Sequence, residues 1–127
     1  MKANLNEVEI NGDVYVKKGS GQTPAKKRDG MTYCIVRSRD AGVFAGYVDM
    51  DNIPAGSSAR VVHDARRIWY WSGAATLSQL AIDGTKEPEE CKFPPAVDLI
   101  EVLGVCEVIP CTEKARKSIE GVREWRA

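Results

Sequence analysis

The residues best suited to chemistry lie in the segment Ala65–Ala81, which reads ARRIWYWSGAATLSQLA. Two adjacent arginines precede two tryptophans and a tyrosine, and Ser72 and Gly73 follow just before a pattern typical of a helix. Guanidinium groups bind phosphate oxygens through paired hydrogen bonds, and aromatic rings stack on nucleobases. The free N–H groups at the start of a helix attract anions. The segment therefore predicts a site for a small anionic, nucleotide-like ligand.

The predicted ligand site combines phosphate contacts, ring stacking and backbone donors at a helix N-terminus. Phosphate contact is expected from Arg66 and Arg67, stacking from Trp69 and Trp71, and backbone donors from Ser72 and Gly73, with Arg37 and Arg39 at the rim. Alternation along a strand turns Arg66 and Arg67 toward opposite faces. At least one of them is therefore expected to serve a neighbouring chain or the fold itself.

A packed strand is the alternative interpretation of the same segment. Trp and Tyr in strands are commonly core residues, and arginine often lies flat on a neighbouring ring. Trp, Tyr and Arg also dominate subunit interfaces. The segment is thus compatible with a core, with the seam of a homo-oligomer, or with a ligand pocket formed between subunits.

Signatures of catalysis and of metal binding are missing from the sequence. His63 is the one histidine, and its neighbour Asp64 would point to the opposite face of a strand, which argues against a His–Asp relay. The cysteines form no Cys-x-x-Cys pair: Cys34, Cys91, Cys106 and Cys111. We therefore expect a protein that is not an enzyme, with no metal site, no cofactor and reduced cysteines.

Charge balance and hydropathy narrow the partners and the location. Lys+Arg and Asp+Glu number 18 each, so the chain lacks the basic excess of a general nucleic-acid-binding protein. No apolar run approaches the ~20 residues that span a bilayer. The start, MKANLNEVEI, lacks the apolar core of a signal peptide. We expect a cytoplasmic protein without membrane or nucleic-acid partners.

Two N-terminal features precede the main domain. Val8–Val16 alternates apolar and polar residues on both sides of an Asn-Gly dipeptide and predicts a hairpin. Lys17–Gly30 carries glycines and five Lys or Arg without apolar periodicity, which predicts a mobile tether or a basic arm that touches phosphates. We therefore divide the chain into residues 1–30, the hairpin and flexible basic linker, and residues 31–127, the main domain.

The main domain is predicted to be α+β, an antiparallel sheet of about six strands with two short helices. The strand patterns lie at Tyr33–Arg37, Val43–Val48, Ala59–Trp71 with a break near His63, and Ala96–Ile109 with a bend at Gly104. The first helix is expected over Ala74–Ile82, with Ser72 as N-cap and Gly84 just after its end. The second is expected from Glu113 to Trp125, capped by Thr112.

Four stretches carry a family resemblance, namely AGVFAG, ARRIWYWSGAATLSQLA, GTKEPEECKF and EVIPCTEKARKSIEGVREW. They resemble a family of small proteins encoded by tailed bacteriophages and prophages, over a region from about Tyr33 to Trp125. The shared motif is R-R-[IL]-W-Y-W-x-G-A-x-[ST]-L-S-Q-L-A. The resemblance implies a phage accessory protein in the host cytoplasm, and it implies no particular activity.

Phage context suggests a function by analogy. Small phage proteins that blunt host defences include compact homo-oligomers that capture cyclic nucleotides or NAD-derived signals without cleaving them. The chain resembles these in size and in its lack of catalytic residues. We therefore expect an anti-defence protein that sequesters a nucleotide-derived signal. The alternative is an inhibitor of another protein, or a virion-associated module, that binds through its Trp-rich face.

Overall fold

The computed structural model describes residues 22–127 together with the strands β1 (Glu7–Ile10) and β2 (Asp13–Val16). β1 and β2 pair in antiparallel fashion, as the sequence predicts. The predicted turn residues Asn11 and Gly12, and the basic segment up to residue 21, lie outside the described residues. No helix among the described residues is long and apolar enough to cross a membrane.

Five strands form the main sheet: β3 (Thr32–Ser38), β4 (Gly42–Val48), β5 (Arg60–Arg67), β6 (Val97–Val102) and β7 (Val105–Pro110). They lie in the order β6-β5-β4-β3-β7, and every neighbouring pair is antiparallel. The predicted α+β class with an antiparallel sheet is confirmed. The predicted count of about six differs slightly, because five strands share this sheet and the other two form the separate hairpin.

The sheet curls so that its two edge strands approach each other at one end. β6 and β7 lie at opposite edges, yet only Leu103 and Gly104 separate them in the chain. A flat five-stranded sheet would place its edge strands about 19 Å apart, whereas a connection this short spans at most about 11 Å. The main-chain N–H of Val105 donates to the carbonyl of Ser58 at 2.8 Å, and the Ser38 hydroxyl donates to the carbonyl of Leu103 at 2.7 Å. These bonds fasten the start of β7 to the segment before β5, and the β6–β7 connection to the end of β3.

The concave face of the curled sheet encloses one apolar cluster. Its members alternate along β3 and β4, as the period of two requires, while the register shift in β5 separates its two members by three positions. Each is at most 1% exposed: Cys34, Val36, Phe44, Val48, Val62, Ala65 and Val102. Gly46 belongs to this face, where a Cβ atom would lie 2.6 Å from a methyl of Val62. The glycine therefore permits the close approach of β4 and β5 that its position in the strand predicts.

Helices cover the other face of the sheet. α1 (Leu77–Asp83) and α2 (Glu113–Gly121) contact each other and bury a second cluster that includes Tyr33, Ile35 and Phe93. Apolar helix residues face the sheet because they recur at helical spacing, and Leu80, Ala81, Ala115 and Ile119 are almost fully buried.

Strand β5 carries an irregularity at the position where the sequence predicts a break. Its register with β4 shifts between the pairs Tyr47–His63 and Ala45–Arg66. Asp64 lies inside this shift and has φ of 52°, a left-handed conformation that costs free energy in a residue other than glycine. The strand stays continuous through the shift, but it ends at Arg67 rather than at Trp71.

The described part of the predicted linker packs against the main domain. Ala25 is buried and its N–H donates to the carbonyl of Cys111, while the carbonyl of Thr23 accepts from the N–H of Glu113. Arg28 lies over the ring of Tyr47. Residues 22–30 therefore form a docked segment at the start of α2, which the lack of apolar periodicity did not reveal.

Candidate ligand-binding surfaces

Arg66 is a buried structural residue. Its guanidinium donates to the main-chain carbonyls of Pro94 at 3.1 Å, Phe93 at 3.1 Å and Ile119 at 2.9 Å, with a longer bond to Glu120 at 3.4 Å. The residue is 6% exposed, and burial lowers the pKa of its guanidinium. The main-chain carbonyls accept hydrogen bonds from most of the guanidinium N–H groups. Arg66 therefore connects the end of α2 to the sheet rather than contacting phosphate.

Arg67 lies on the opposite face of β5, as alternation predicts. Its guanidinium sits 4.5 Å from the centre of the Phe44 ring and donates to the carbonyl of Ala41 at 2.9 Å. The side chain is only partly buried. Arg67 thus adopts the arrangement in which arginine lies flat on a ring and remains partly in solvent.

Ser72 and Gly73 do not lie at a helix N-terminus, so that prediction is wrong. The N-cap of α1 is Thr76, whose hydroxyl oxygen accepts from the N–H of Gln79 at 3.1 Å. The Ser72 hydroxyl donates to a carboxylate oxygen of Glu87 at 2.9 Å. A Cβ on Gly73 would lie 2.6 Å from the N atom of Lys86, so the glycine lets two segments of backbone pack closely.

Trp69 and Tyr70 lie on the surface of the protein. Trp69 is 64% and Tyr70 is 50% exposed. Tyr70 pairs with Lys92 through reciprocal main-chain bonds, and the main-chain N–H of Trp125 donates to the carbonyl of Phe93 at 3.0 Å. This irregular ribbon brings the rings of Tyr70 and Trp125 near the Lys92 ammonium, with the ring centres 5.9 and 5.7 Å from it.

We call Tyr70, Lys92 and Trp125 the aromatic patch. Trp125 is 43% exposed, and Lys92 forms no ion pair with any described residue. Sequence reasoning missed Lys92 and Trp125 as partners of Tyr70 because their meeting depends on pairings between distant segments. No local pattern encodes such contacts.

Trp71 and Arg37 lie together, and they line a groove of about 440 Å³ beside the start of α1. We call it the Arg37–Trp71 groove; its remaining lining residues are Val43, Thr76, Leu77, Ser78 and Glu107. Trp71 is half-buried and packs against the second apolar cluster. Arg37 forms an ion pair with Glu107 at 3.2 Å, and both side chains are partly exposed.

The structure thus divides the eight predicted site residues among several places. It brings Trp71 and Arg37 into one groove, leaves Trp69 exposed, and gives Arg66, Ser72 and Gly73 contacts within the fold. Arg39 is exposed in the turn between β3 and β4, and its side chain forms no hydrogen bond with a described residue. Because β5 ends at Arg67, Trp69 and Trp71 do not continue the strand face that carries Arg67.

The cysteines are reduced, and three of the four are buried. Burial raises the pKa of the Cys34 and Cys111 thiols to about 12, so both stay protonated at neutral pH. Cys106 is exposed at β7. In the described part of the chain, His, Cys, Asp and Glu side chains form no group of three or more that could hold a metal ion.

The strand order, the two capped helices and these surfaces define a small α+β protein with an antiparallel sheet. The chain belongs to the family of the domain of unknown function DUF6948, whose model matches residues 31–119. The matched region contains all five strands of the main sheet and most of α2. No curated protein and no solved structure matches the chain.

Proposed function

We propose that this protein is a non-enzymatic binding protein that captures a small, anionic, nucleotide-like ligand in the Arg37–Trp71 groove. The observation that carries the proposal is that a guanidinium and an indole, distant in the sequence, line one concave surface. Its volume of about 440 Å³ lies within the range of ligand pockets in proteins.

The groove offers each interaction that such a ligand needs. The half-buried Trp71 ring presents a flat apolar surface, and stacking of a base on such a ring contributes about 1–3 kcal/mol in single-strand binders. Arg37 supplies a forked donor for phosphate oxygens. Thr76 uses its hydroxyl oxygen to cap α1, which leaves its hydroxyl hydrogen to donate to the ligand.

Glu107 is the residue that an anionic ligand must displace. Its carboxylate pairs with Arg37, and the two side chains are 39% and 51% exposed, respectively. An exposed ion pair contributes only about 0–1 kcal/mol, so a phosphate can replace the carboxylate at little cost. The ion pair therefore keeps the Arg37 side chain at the groove, and its guanidinium can still bind a phosphate.

Ligand titration tests this proposal. Isothermal calorimetry with cyclic dinucleotides, cyclic trinucleotides and ADP-ribose should detect binding by at least one of them. Arg37→Ala and Trp71→Leu should abolish that binding, while Glu107→Gln should strengthen it because a competing negative charge is removed. Arg39→Ala is the matched control, since Arg39 is exposed outside the groove. Binding that is unchanged in the Arg37 and Trp71 variants would place the site elsewhere. The absence of binding heat with every nucleotide would reject the proposal.

We also propose that the protein acts as an anti-defence accessory of a bacteriophage, in the cytoplasm of the infected host and as a homo-oligomer. The phage setting is supported by the resemblance of the Ala65–Ala81 motif to phage proteins, and the oligomer by the exposed aromatic patch. Light scattering after size-exclusion chromatography measures the oligomeric state directly. A monomer at all concentrations would remove a pocket shared between subunits and leave the groove of one subunit.

A second function, recognition of a partner protein, is favoured by the exposure of the aromatic patch. Aromatic side chains dominate binding energy at protein interfaces, and Tyr70 and Trp125 are 50% and 43% exposed. Lys92 favours a partner whose carboxylate pairs with its ammonium and whose apolar groups cover the rings of Tyr70 and Trp125. Tryptophan fluorescence should therefore change with a peptide that carries Phe between Asp residues, and a matched peptide with Lys in place of Asp should have no effect. Tyr70→Ser and Lys92→Ala should remove the response.

A further inference from the structure

A second concave site lies between the sheet and the C-terminal end of α2. It is a cavity of about 150 Å³ whose polar lining comes from Tyr33, Asp64, Arg66, Glu120 and Glu124. It shares no residue with the Arg37–Trp71 groove. A liquid water molecule occupies about 30 Å³, so the cavity has room for a group of a few heavy atoms and not for a nucleotide.

Two residues that line this cavity carry hydrogen-bond donors. Tyr33 is 2% exposed, and its hydroxyl has no hydrogen-bond partner among the described residues. Burial and the nearby Glu120 carboxylate raise the pKa of this phenol, so it keeps its proton. Arg66 is 6% exposed, and its bonds to main-chain carbonyls leave one guanidinium N–H without an acceptor among the described residues. Both groups line the cavity and can donate to an acceptor placed there.

The rim of the cavity carries acceptors instead. Asp64, Glu120 and Glu124 all line it, and each carboxylate is partly exposed. Their ion-pair partners are arginines that do not line the cavity: Arg28, Arg116 and Arg126. Each carboxylate therefore retains free lone pairs for a further donor.

One of these acceptors, Asp64, lies at a strained backbone position. Asp64 adopts a φ of 52° at the register shift in β5. Non-glycine residues in this conformation persist where the surrounding structure determines them, and they cluster at functional sites. The strained residue lies at the cavity and carries one of its carboxylates.

We propose that this cavity binds a primary carboxamide or urea group. The amide carbonyl accepts hydrogen bonds from the Tyr33 hydroxyl and the spare N–H of Arg66, and the amide NH₂ donates to the carboxylates at the rim. A carboxylate ligand of the same size would meet three like charges, and an ammonium would lie against the buried Arg66 cation. The group comes from a free small amide or from an Asn or Gln side chain of a partner protein.

Chemical-shift titration of the full chain with acetamide tests the inference, with acetate and methylammonium as probes of matched size. Acetamide should shift the backbone amides of Ala96 and Glu120 in a saturable way, and the two charged probes should not. Tyr33→Phe should weaken acetamide binding at least tenfold while the protein stays folded, because the hydroxyl has no partner among the described residues. Tyr47→Phe is the control, since Tyr47 packs on Tyr33 at 5.0 Å between ring centres but does not line the cavity.

Each result decides the matter. Equal shifts with acetate, no saturation with acetamide, or unchanged binding in Tyr33→Phe would reject the carboxamide site. Unfolding of Tyr33→Phe would show that the hydroxyl is structural and would reject the carboxamide site as well.

Nicotinamide and the peptide Gly-Gln-Gly test where the amide comes from. Tighter binding of nicotinamide identifies a free amide, and tighter binding of the peptide identifies a partner side chain. Because the two sites share no residue, failure here leaves nucleotide binding at the Arg37–Trp71 groove untouched, and the reverse also holds.

Discussion

The guanidinium of Arg66 on β5 donates to the main-chain carbonyl of Ile119 at the end of α2, with 2.9 Å between the two atoms. The two residues are 53 positions apart in the sequence. A cation at the C-terminal end of a helix also opposes the partial negative charge there. One side chain thus ties the sheet, the segment at Phe93 and the last turn of α2 to each other.

Arg66→Met should therefore lower the free energy of unfolding by about 3 kcal/mol, since several buried carbonyls lose a charged donor. Arg66→Lys should also destabilise the protein, because an ammonium cannot reproduce the forked geometry. Urea denaturation followed by circular dichroism measures both. Arg39→Ala, a surface control, should change stability by less than about 0.5 kcal/mol. If Arg66→Met left the free energy of unfolding unchanged, the carbonyls would have found other hydrogen-bond donors.

Gly73→Ala should be much more costly than Gly56→Ala, although both residues have positive φ, 82° and 76°. A Cβ on Gly56 would meet no heavy atom within 4 Å, so that variant reports the conformational cost alone, about 1 kcal/mol. At Gly73 the added atom would lie 2.6 Å from the N atom of Lys86. We expect thermal unfolding to show a clearly larger loss for Gly73→Ala. Equal losses would mean that the backbone near Lys86 moves aside freely.

The stability of the protein should fall in acid partly through Glu113. Hydrogen bonds from the Arg116 side chain and from the N–H of Lys26 hold the pKa of this carboxyl at about 2, below its usual 4.5. A pKa that is lowered by folding contributes stability above about pH 4.5, and this contribution disappears as the pH falls toward 2. Glu113→Gln should therefore show a smaller loss of stability between these pH values than the parent chain.

Denaturation midpoints at several pH values measure this difference. Glu89→Gln is the matched control, since Glu89 is exposed and its side chain forms no ion pair or hydrogen bond with a described residue. It should follow the parent chain. Parallel curves for Glu113→Gln and the parent chain would show that this contact adds nothing to the acid sensitivity.

Thiol alkylation should distinguish the cysteines sharply. With iodoacetamide at pH 8, Cys106 should react first because it is exposed. Cys34 and Cys111 should stay unmodified in the folded protein, since burial raises the pKa of each thiol to about 12 and blocks access. Peptide mass spectrometry identifies the labelled positions. Rapid labelling of Cys34 would indicate frequent opening of the curled sheet.

Collisional quenching should measure the exposure of the tryptophan side chains. Trp69 is 64% and Trp125 is 43% exposed, whereas Trp71 is half-buried. Iodide should therefore quench a large part of the tryptophan fluorescence, and Trp69→Phe should remove the most accessible component. Trp71→Phe serves as comparison and should leave the accessible component in place. Weak quenching of Trp69 in solution would indicate that another molecule covers this side chain.

Local patterns predicted much of the fold. Alternating apolar residues indicated strands β3 and β4, and Thr112 was correctly predicted to cap α2, where its hydroxyl accepts from the N–H of Ala115. Gly84 ends α1 with a positive φ, as its place after Ile82 indicated. These features depend on hydrogen bonds and contacts between near neighbours, which the sequence displays directly.

The candidate sites were less predictable because they depend on distant pairings. Ser72 has the chemistry of an N-cap, but Thr76 competes for that role and is the one that caps α1. Arg66 has the chemistry of a phosphate ligand, and the carbonyls that occupy it come from segments 27 to 54 residues away. The groove unites Arg37 with Trp71 only after β3, β4, β7 and α1 have assembled.

The joined edges of the main sheet also constrain how copies of this protein can associate. Sheets commonly extend from one molecule to the next by adding a strand to an open margin. Here the short Leu103–Gly104 link draws the two margins together and shortens the backbone that a neighbour can reach. A neighbouring strand could therefore add only to the parts of β6 and β7 that lie away from this link.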